Sequence, residues 1–547
     1  MNEKKKTKII FLCFLFLSIL ITIVPILSSK ELGIVRVNDF NFHASRVESM
    51  INLWKSPTNF RFFHQYGAPT NYCYPWWTLV PWFLFYIITH KIVLSYFCFI
   101  GLLTLITLCT CYYVAVKITN KQGIGIIFAI FYSFSFYRLY NIFYRFAIGE
   151  TIAMTFLPIL LYALYKILYK KENQYWFLLT IAMTLTAYTH LLSLLFYTIF
   201  LVLFYIGATF IGQVHIKEWW SLIKAGIWSG ILSLGSLIPM IVMSAQHKLF
   251  TPEKGDVYER ALTGEDFIFS HLELVFKGNH YTIGIFLFLC VFIVCWRWKD
   301  YNWWGKELII FSILGLVSTT KLIPWDKIQP TILGSIQFPW RLLVFPTCFI
   351  SLLIAISFYN LLSRKNFYIM VSVLYLMVNI ATIVEYYSIT ANKNTFYTLH
   401  SEKVIQNSLV NKSRWLGSGR TDYFLDKSIP YYKNFKNHRV YIDHHFKKVK
   451  TKVANSQILF TIPSDKEQEV ILPVGAYNYM HVWVNGKPTS WKEGHTGGIK
   501  IKVFEGNQKV LVKAKNPIWY LPLQIFSFIG LLGFTIFNIK KIKKRKR

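Results

Sequence analysis

Residues 92–116 read Ile92-Val93-Leu94-Ser95-Tyr96-Phe97-Cys98-Phe99-Ile100-Gly101-Leu102-Leu103-Thr104-Leu105-Ile106-Thr107-Leu108-Cys109-Thr110-Cys111-Tyr112-Tyr113-Val114-Ala115-Val116. No charged side chain interrupts this run. As one helix it is long enough to cross the ~30 Å hydrocarbon core of a bilayer. Outward from it, similar runs recur at 8–28, 123–140, 150–169, 175–190, 191–212, 219–245, 281–297, 307–323, 342–362, 367–389 and 517–539. The expectation is an all-α polytopic membrane bundle with about twelve spans. Composition agrees: 54% of the 547 residues are hydrophobic, 18% aromatic and 16% charged. Soluble domains carry ~25% charged residues, so a soluble, disordered or fibrous chain is excluded. Eight Cys, all but Cys73 inside apolar runs, are not a disulfide scaffold.

Basic residues retained in cytoplasmic loops predict orientation. Lys4, Lys5, Lys6 and Lys8 open the chain, and Lys540, Lys541, Lys543, Lys544, Arg545, Lys546 and Arg547 close it. Both termini are therefore expected in the cytoplasm, with an even number of crossings. Lys117, Lys121, Lys166, Lys170, Lys171, Lys217, Arg297, Lys299, Lys306, Arg364 and Lys365 then fall inside. This works if the short run 75–90 lies in the outer leaflet, with Trp76, Trp77 and Trp82 as interfacial anchors. The first run is read as a retained span, because Pro25-Ile26-Leu27 offers no small-residue cleavage pattern.

Five stretches then face outward: 29–91, 141–149, 246–280, 324–341 and 391–516. The last is polar and strand-like. Residues 458–462, 469–472, 479–484, 499–503 and 510–513 alternate as strands, with Asn485-Gly486 and Gly506-Asn507 as turns. The domain reading is a transmembrane domain over 1–390, an extracytoplasmic β-sandwich over 391–516, and a last helix with a basic tail over 517–547. The β-rich segment holds 21 Lys and Arg against 9 Asp and Glu. Anionic extracellular glycopolymers or lipid headgroups suit such a surface, as does a chain that is Lys-rich throughout. Nucleic acid is excluded as a partner by the extracytoplasmic placement.

The unusual polar residues collect on the outer side. Asp39, His43 and Arg46 are spaced i, i+4, i+7 on one helical face. Tyr72-Cys73-Tyr74-Pro75 follows. The next outer turn reads Tyr144-Arg145-Phe146-Ala147-Ile148-Gly149-Glu150. An acid opening a helix is favoured by the macrodipole alone, yet ionisable residues at the mouth of a bundle are costly and often functional. His190 sits in His190-Leu191-Leu192-Ser193, as a turn hydrogen-bonder or a site residue. Gln337-Phe338-Pro339-Trp340-Arg341 precedes another apolar run. Arg341 is either a snorkelling interface residue or a phosphate clamp. No phosphate-binding Gly-x-x-x-x-Gly-Lys loop occurs, and His43, His64, His444 and His445 lack metal-ligand spacing.

The order Asp-x-x-x-His-x-x-Arg, Tyr-Pro, Tyr-Arg-x-x-x-Gly-Glu, His-Leu-Leu-Ser, Gln-Phe-Pro-Trp-Arg resembles the bacterial membrane proteins called 6-pyruvoyl-tetrahydropterin-synthase-related, and the YfhO-type proteins. The resemblance covers about residues 1–390. Both groups are similar to GT-C glycosyltransferases, which take a sugar from a polyprenyl-phosphate carrier on the non-cytoplasmic face. The resemblance implies that Asp39 and Glu150 are the catalytic carboxylates, Glu150 as second carboxylate or metal ligand. It leaves a divalent metal ion open, since Asn38-Asp39 stands where some branches have two acids.

Chemistry assigns the remaining roles. Charge developing on a departing phosphate needs cations, for which Arg46, Arg145 and Arg341 are candidates. His43, His190 and Gln337 complete the expected substrate-binding set. Membrane lipids and the lipid-linked sugar are the implied partners. Two other readings stay open: a lipid-linked sugar or polymer transporter, and a non-catalytic cell-envelope assembly protein.

Overall fold

The apolar runs are helical, yet their helices differ in length. The computed structural model describes residues 3–29, 33–35, 38–251, 255–278, 281–361, 365–391, 396–398 and 421–546. Parts of the expected outer segments, together with Arg364 and Arg547, lie outside the described residues. Among the described residues, seven helices are long and apolar enough to cross a membrane: Lys4–Ile26, Ile92–Thr119, Ile148–Tyr169, Leu191–Phe210, Pro339–Tyr359, Tyr368–Thr390 and Tyr520–Lys544. Two bent pairs raise the number to nine if each is one span. These are Gln122–Ser133 with Phe136–Phe143, bent by 42°, and Ile216–Leu232 with Leu234–Gln246, bent by 68°.

Three of the twelve expected runs form shorter helices. The runs at 175–190, 281–297 and 307–323 form helices Trp176–Ala187, Ile285–Trp296 and Trp303–Val317, of 12, 12 and 15 residues. At 1.5 Å per residue each falls short of a ~30 Å core. Hydropathy registers how apolar a run is, not where its helix stops. The run 75–90 departs from expectation too. It forms a short turn and helix, Trp77–Leu79 and Val80–Thr89, but its indoles are packed inside the protein. Trp82 is fully buried, donates to Ser95 Oγ at 3.0 Å and stacks on Phe99. Trp77 stacks on Tyr188 at 3.9 Å.

The first bent pair carries a cation that hydropathy hides. Arg138 is fully buried and donates to the Ser133 carbonyl at 3.0 Å and to Thr107 Oγ1 at 3.1 Å. A bend frees carbonyls at the end of the helix before it, and Arg138 supplies the missing donor. Arg138→Met is expected to lower the thermal midpoint in detergent. Each buried acceptor left without a donor costs about 1–3 kcal/mol. An unchanged melting curve would show that the bend needs no such donor.

The polar C-terminal segment is a β-sandwich. Its strands are β3 (Arg439–Ile442), β4 (His445–Lys448), β5 (Lys450–Ala454), β6 (Gln457–Ser464), β7 (Gln468–Gly475), β8 (Met480–Val484), β9 (Lys487–Thr489), β10 (Lys492–Glu493), β11 (Gly498–Val503) and β12 (Gly506–Ala514). They form two antiparallel five-stranded sheets in the orders β10-β11-β7-β3-β4 and β5-β6-β12-β8-β9. The β8–β9 turn places Asn485 at φ 50° and Gly486 at φ 83°, the left-handed pair a tight hairpin requires.

The first loop holds this sandwich to the helices. Tyr66 stacks on Phe424 at 3.8 Å, and its hydroxyl lies 2.6 Å from Ser428 Oγ. Tyr72 donates to Asn516 at 2.7 Å and stacks on Tyr520, the first residue of the last helix. A short ladder, β1 (Gly33–Val35) against β2 (Phe396–Thr398), adds a second tie. The loop is therefore structural mortar between the helices and the sandwich.

Candidate functional site

The site begins with helix Asn38–Ser49, which the first loop lays over the bundle. Phe40 anchors it, meeting Tyr96 and Phe146 edge-on at 5.6 Å each. That anchor turns the Asp39, His43, Arg46 face toward the Tyr74-Pro75 segment. Arg46 is fully buried. It donates from Nε to Asn71 Oδ1 at 3.1 Å, and from NH2 to the carbonyls of Tyr74 at 3.0 Å and Pro75 at 2.5 Å. Its NH1 meets His43 Nδ1 at 3.1 Å, and its plane covers the Tyr74 ring at 4.1 Å. Burial brings its pKa down to about 10, still charged at neutral pH.

A second wall comes from the turn into helix Ile148–Leu164. Phe146 there sits at φ 54°, a left-handed conformation that a bulky residue rarely takes. The turn points Arg145 and Glu150 at each other, with NH1 to Oε2 at 3.2 Å. Glu150 Oε1 accepts from the Tyr137 hydroxyl and from Asn141 Nδ2. Arg341 Nε stands 3.9 Å from Glu150 Oε2. Arg145 also lies flat over Trp340 at 3.9 Å, and Trp340 in turn stacks on Tyr281 at 4.1 Å. Gly149 explains its place in the motif. A Cβ there would lie 2.6 Å from the Tyr74 hydroxyl and 3.2 Å from His190 Cδ2, so only glycine lets the walls close.

The third wall is the stretch before the Val344–Leu361 helix. Gln337 adopts φ 61°, again left-handed and non-glycine. Its side chain accepts from Arg341 NH1 at 3.0 Å, and its carbonyl accepts from Arg260 NH1 at 3.2 Å. Arg341 Nε is buried without a hydrogen-bond acceptor. His190 precedes the Leu191–Phe210 helix, its Nδ1 2.8 Å from Ser193 Oγ. Burial, reinforced by the Arg341 charge, pushes its pKa down to about 3, so the ring is neutral at physiological pH.

These walls enclose a cavity of about 680 Å³. Asp39, His43, Arg145, Glu150, His190, Gln337 and Arg341 all line it. Tyr74 of the Tyr-Pro step lines it as well, and so do two residues that sequence reasoning did not single out, Arg260 and Asp422. Arg46 is absent from the lining, which corrects its expected place among the substrate-binding residues. Its donors are directed at the protein's own carbonyls, and it supports His43 and Tyr74 from behind.

No protein-family model matches the chain, and no curated protein does. Among solved structures it is similar to the oligosaccharyltransferase AglB of Archaeoglobus fulgidus in complex with an inhibitory peptide and a dolichol-phosphate. That match has 11% identity, covers 78% of this chain and 61% of that one, and has a TM-score of 0.45. The apo form of the Archaeoglobus fulgidus oligosaccharyltransferase matches with 12% identity over 76% of this chain and 60% of that one, at a TM-score of 0.44. The chain thus spans about three fifths of the length of these structures.

A divalent cation does not fit the carboxylate that sequence reasoning offered for it. Glu150 already accepts from Tyr137, Asn141 and Arg145, with Arg341 beside it. A cation ligated there would face two guanidinium groups. Among the described residues, no group of three or more His, Cys, Asp or Glu side chains is placed to hold a metal ion. The cavity instead sets three carboxylates, of Asp39, Glu150 and Asp422, against cations. Three guanidiniums line it, one with an N–H that lacks an acceptor, and Asp39 enters from a separate element.

Proposed function

We propose that the chain is a GT-C-like membrane glycosyltransferase that moves a sugar from a polyprenyl-phosphate carrier to an extracytoplasmic acceptor such as a cell-wall glycopolymer. The observation carrying this reading is the meeting of Asp39 with Arg145, Glu150 and Arg341 in one cavity, from elements more than a hundred residues apart. Asp39 is the general base that takes the acceptor hydroxyl proton. The acceptor oxygen bonds to the anomeric carbon as the bond from that carbon to the phosphate oxygen breaks. The leaving phosphate carries its charge toward Arg341, whose Nε–H has no hydrogen-bond acceptor among the described residues, and toward Arg260. A single displacement inverts the anomeric centre.

Glu150 is a positioning residue in this scheme. It fixes Arg145 and Arg341, and Gln337 fixes Arg341 from the other side. Neutral His190 offers a hydrogen bond without adding charge, and His43 lines the same cavity. The proposed topology keeps both termini in the cytoplasm. It lets the three short helices complete the nine longer spans to an even number, their ends covered by neighbouring helices rather than lipid. The β-sandwich is then extracytoplasmic, beside the cavity mouth.

Arg341→Gln tests the phosphate assignment. With purified full-length protein in detergent, binding of a short-chain polyprenyl phosphate is expected to weaken about tenfold to a hundredfold. Unaltered binding would remove Arg341 from the phosphate and leave the transferase reading without its cation. Movement of a labelled lipid-linked sugar across a vesicle, with no transfer to acceptor, would favour a transporter instead.

A further inference from the structure

A second cavity, of about 640 Å³, lies where the last helix runs out toward its Lys-rich end. It belongs to elements that the proposed reaction does not use. Its walls are two helix faces. Lys217, Trp220, Ser221, Lys224 and Trp228 follow helical spacing on Ile216–Leu232, and Phe534, Phe537, Asn538 and Lys541 do so on Tyr520–Lys546. Phe534 closes one end, packing between Trp176 at 5.5 Å and Trp228 at 5.4 Å.

The lining has an uneven chemistry. It contains three lysines and no acid. No carboxylate among the described residues pairs with Lys217, Lys224 or Lys541, whereas nearby Lys166 is paired with Glu172. Glu218, the acid closest in sequence, is not in the lining and is already engaged: it accepts from the His215 backbone at 2.9 Å and from the lining residue Asn173 at 3.2 Å. Below the lysines lie large apolar side chains left open, Trp220 at 52% and Phe537 at 64% exposure. Cations over indole and phenyl rings suit a molecule with a phosphate at one end and hydrocarbon at the other. The volume falls within the roughly 300–1,000 Å³ of small-molecule sites.

We propose that this cavity binds one anionic glycerophospholipid, its phosphate among Lys217, Lys224 and Lys541 and an acyl chain along Trp220, Trp228 and Phe537. The lipid bridges the last helix to the bundle. That helix is only 17% buried over its most apolar window, so it makes few protein contacts of its own. It also carries the β-sandwich at its other end. The proposal needs the membrane reading but not the transferase reading.

The test is native mass spectrometry of the full chain in detergent, titrated with dioleoylphosphatidylglycerol or, as the neutral comparison, dioleoylphosphatidylcholine. One phosphatidylglycerol is expected to bind in preference to phosphatidylcholine. Replacing Lys217, Lys224 and Lys541 by Gln is expected to weaken it on the order of a hundredfold. Replacing Lys540, Lys543 and Lys544 by Gln removes as much charge outside the lining and is expected to leave the bound lipid in place. Should the lining triple not fold, Lys541→Gln alone, at an exposed position, is expected to weaken binding about fivefold. Equal losses from both triples would mean diffuse attraction to the tail and overturn the proposal. So would equal binding of the two lipids, displacement by inorganic phosphate alone, or full binding in the lining variants.

Discussion

Asp39→Asn is expected to abolish sugar transfer while leaving the carrier bound. The substitution preserves shape and hydrogen-bonding size and removes the only property the reaction asks of this residue, a carboxylate that accepts a proton. General-base catalysis contributes about 10²–10⁴-fold, so turnover should fall by that amount. Carrier binding should change little, because the phosphate is assigned to Arg341 and Arg260 on other walls of the cavity. The split between turnover and binding is the informative result. Single-turnover transfer from a labelled polyprenyl-phosphate sugar measures the first, and equilibrium binding of the carrier alone measures the second. Wild-type turnover in Asp39→Asn would remove Asp39 from the chemistry. Equal loss of binding and turnover would instead make it a structural residue, acting through the Arg145 charge that lies near it.

The contrast between residues that the sequence exposes and those it hides follows from their surroundings. Glu150, His190 and Arg341 stand against long apolar runs, so each charge or imidazole is conspicuous and its position at a span end is readable, while Asp39 is marked by its spacing with His43 and Arg46. Arg260 lies in a loop with Glu259 and Glu265 close by, and Asp422 precedes the Lys-rich sandwich. Neither has contrast with its neighbours, and only the packing of the loop against Gln337 and Phe338 brings Arg260 into the cavity. Arg46 shows the opposite failure. Helical spacing correctly puts it on the face of Asp39 and His43, but spacing says nothing about depth, and the Tyr74 and Pro75 carbonyls capture its donors. Helix length is hidden for a related reason. Residues 175–190 are apolar enough for a span, yet the helix stops at Ala187, and beyond it Tyr188 is tied to the Leu232 carbonyl and His190 to Ser193 Oγ. The β-strands were legible because alternation in a polar segment has few other causes.

Glu150→Ala is expected to cost more in stability than in chemistry. Its carboxylate sits between two guanidiniums, each 13% exposed, while the carboxylate itself is 6% exposed. Removing one member of a buried ion pair costs about 3–5 kcal/mol, since the remaining charge has lost its partner but not its burial. Here two cations are stranded at once, and the Tyr137 hydroxyl loses its acceptor. Arg145 and Arg341 should then repel one another and open the turn that Phe146 and Gly149 hold. Thermal melting of the full-length protein in detergent measures the loss. Glu150→Gln keeps acceptors for Tyr137 and Asn141 and should fall between wild type and Glu150→Ala. Carrier binding adds a sharper reading, because an anion between the freed guanidiniums replaces the missing carboxylate. Bound polyprenyl phosphate should therefore raise the melting temperature of Glu150→Ala by more than it raises that of wild type. If instead Glu150→Ala melts as wild type and loses only transfer, Glu150 is itself a reacting group, and the assignment of a single base at Asp39 gives way to a pair of carboxylates.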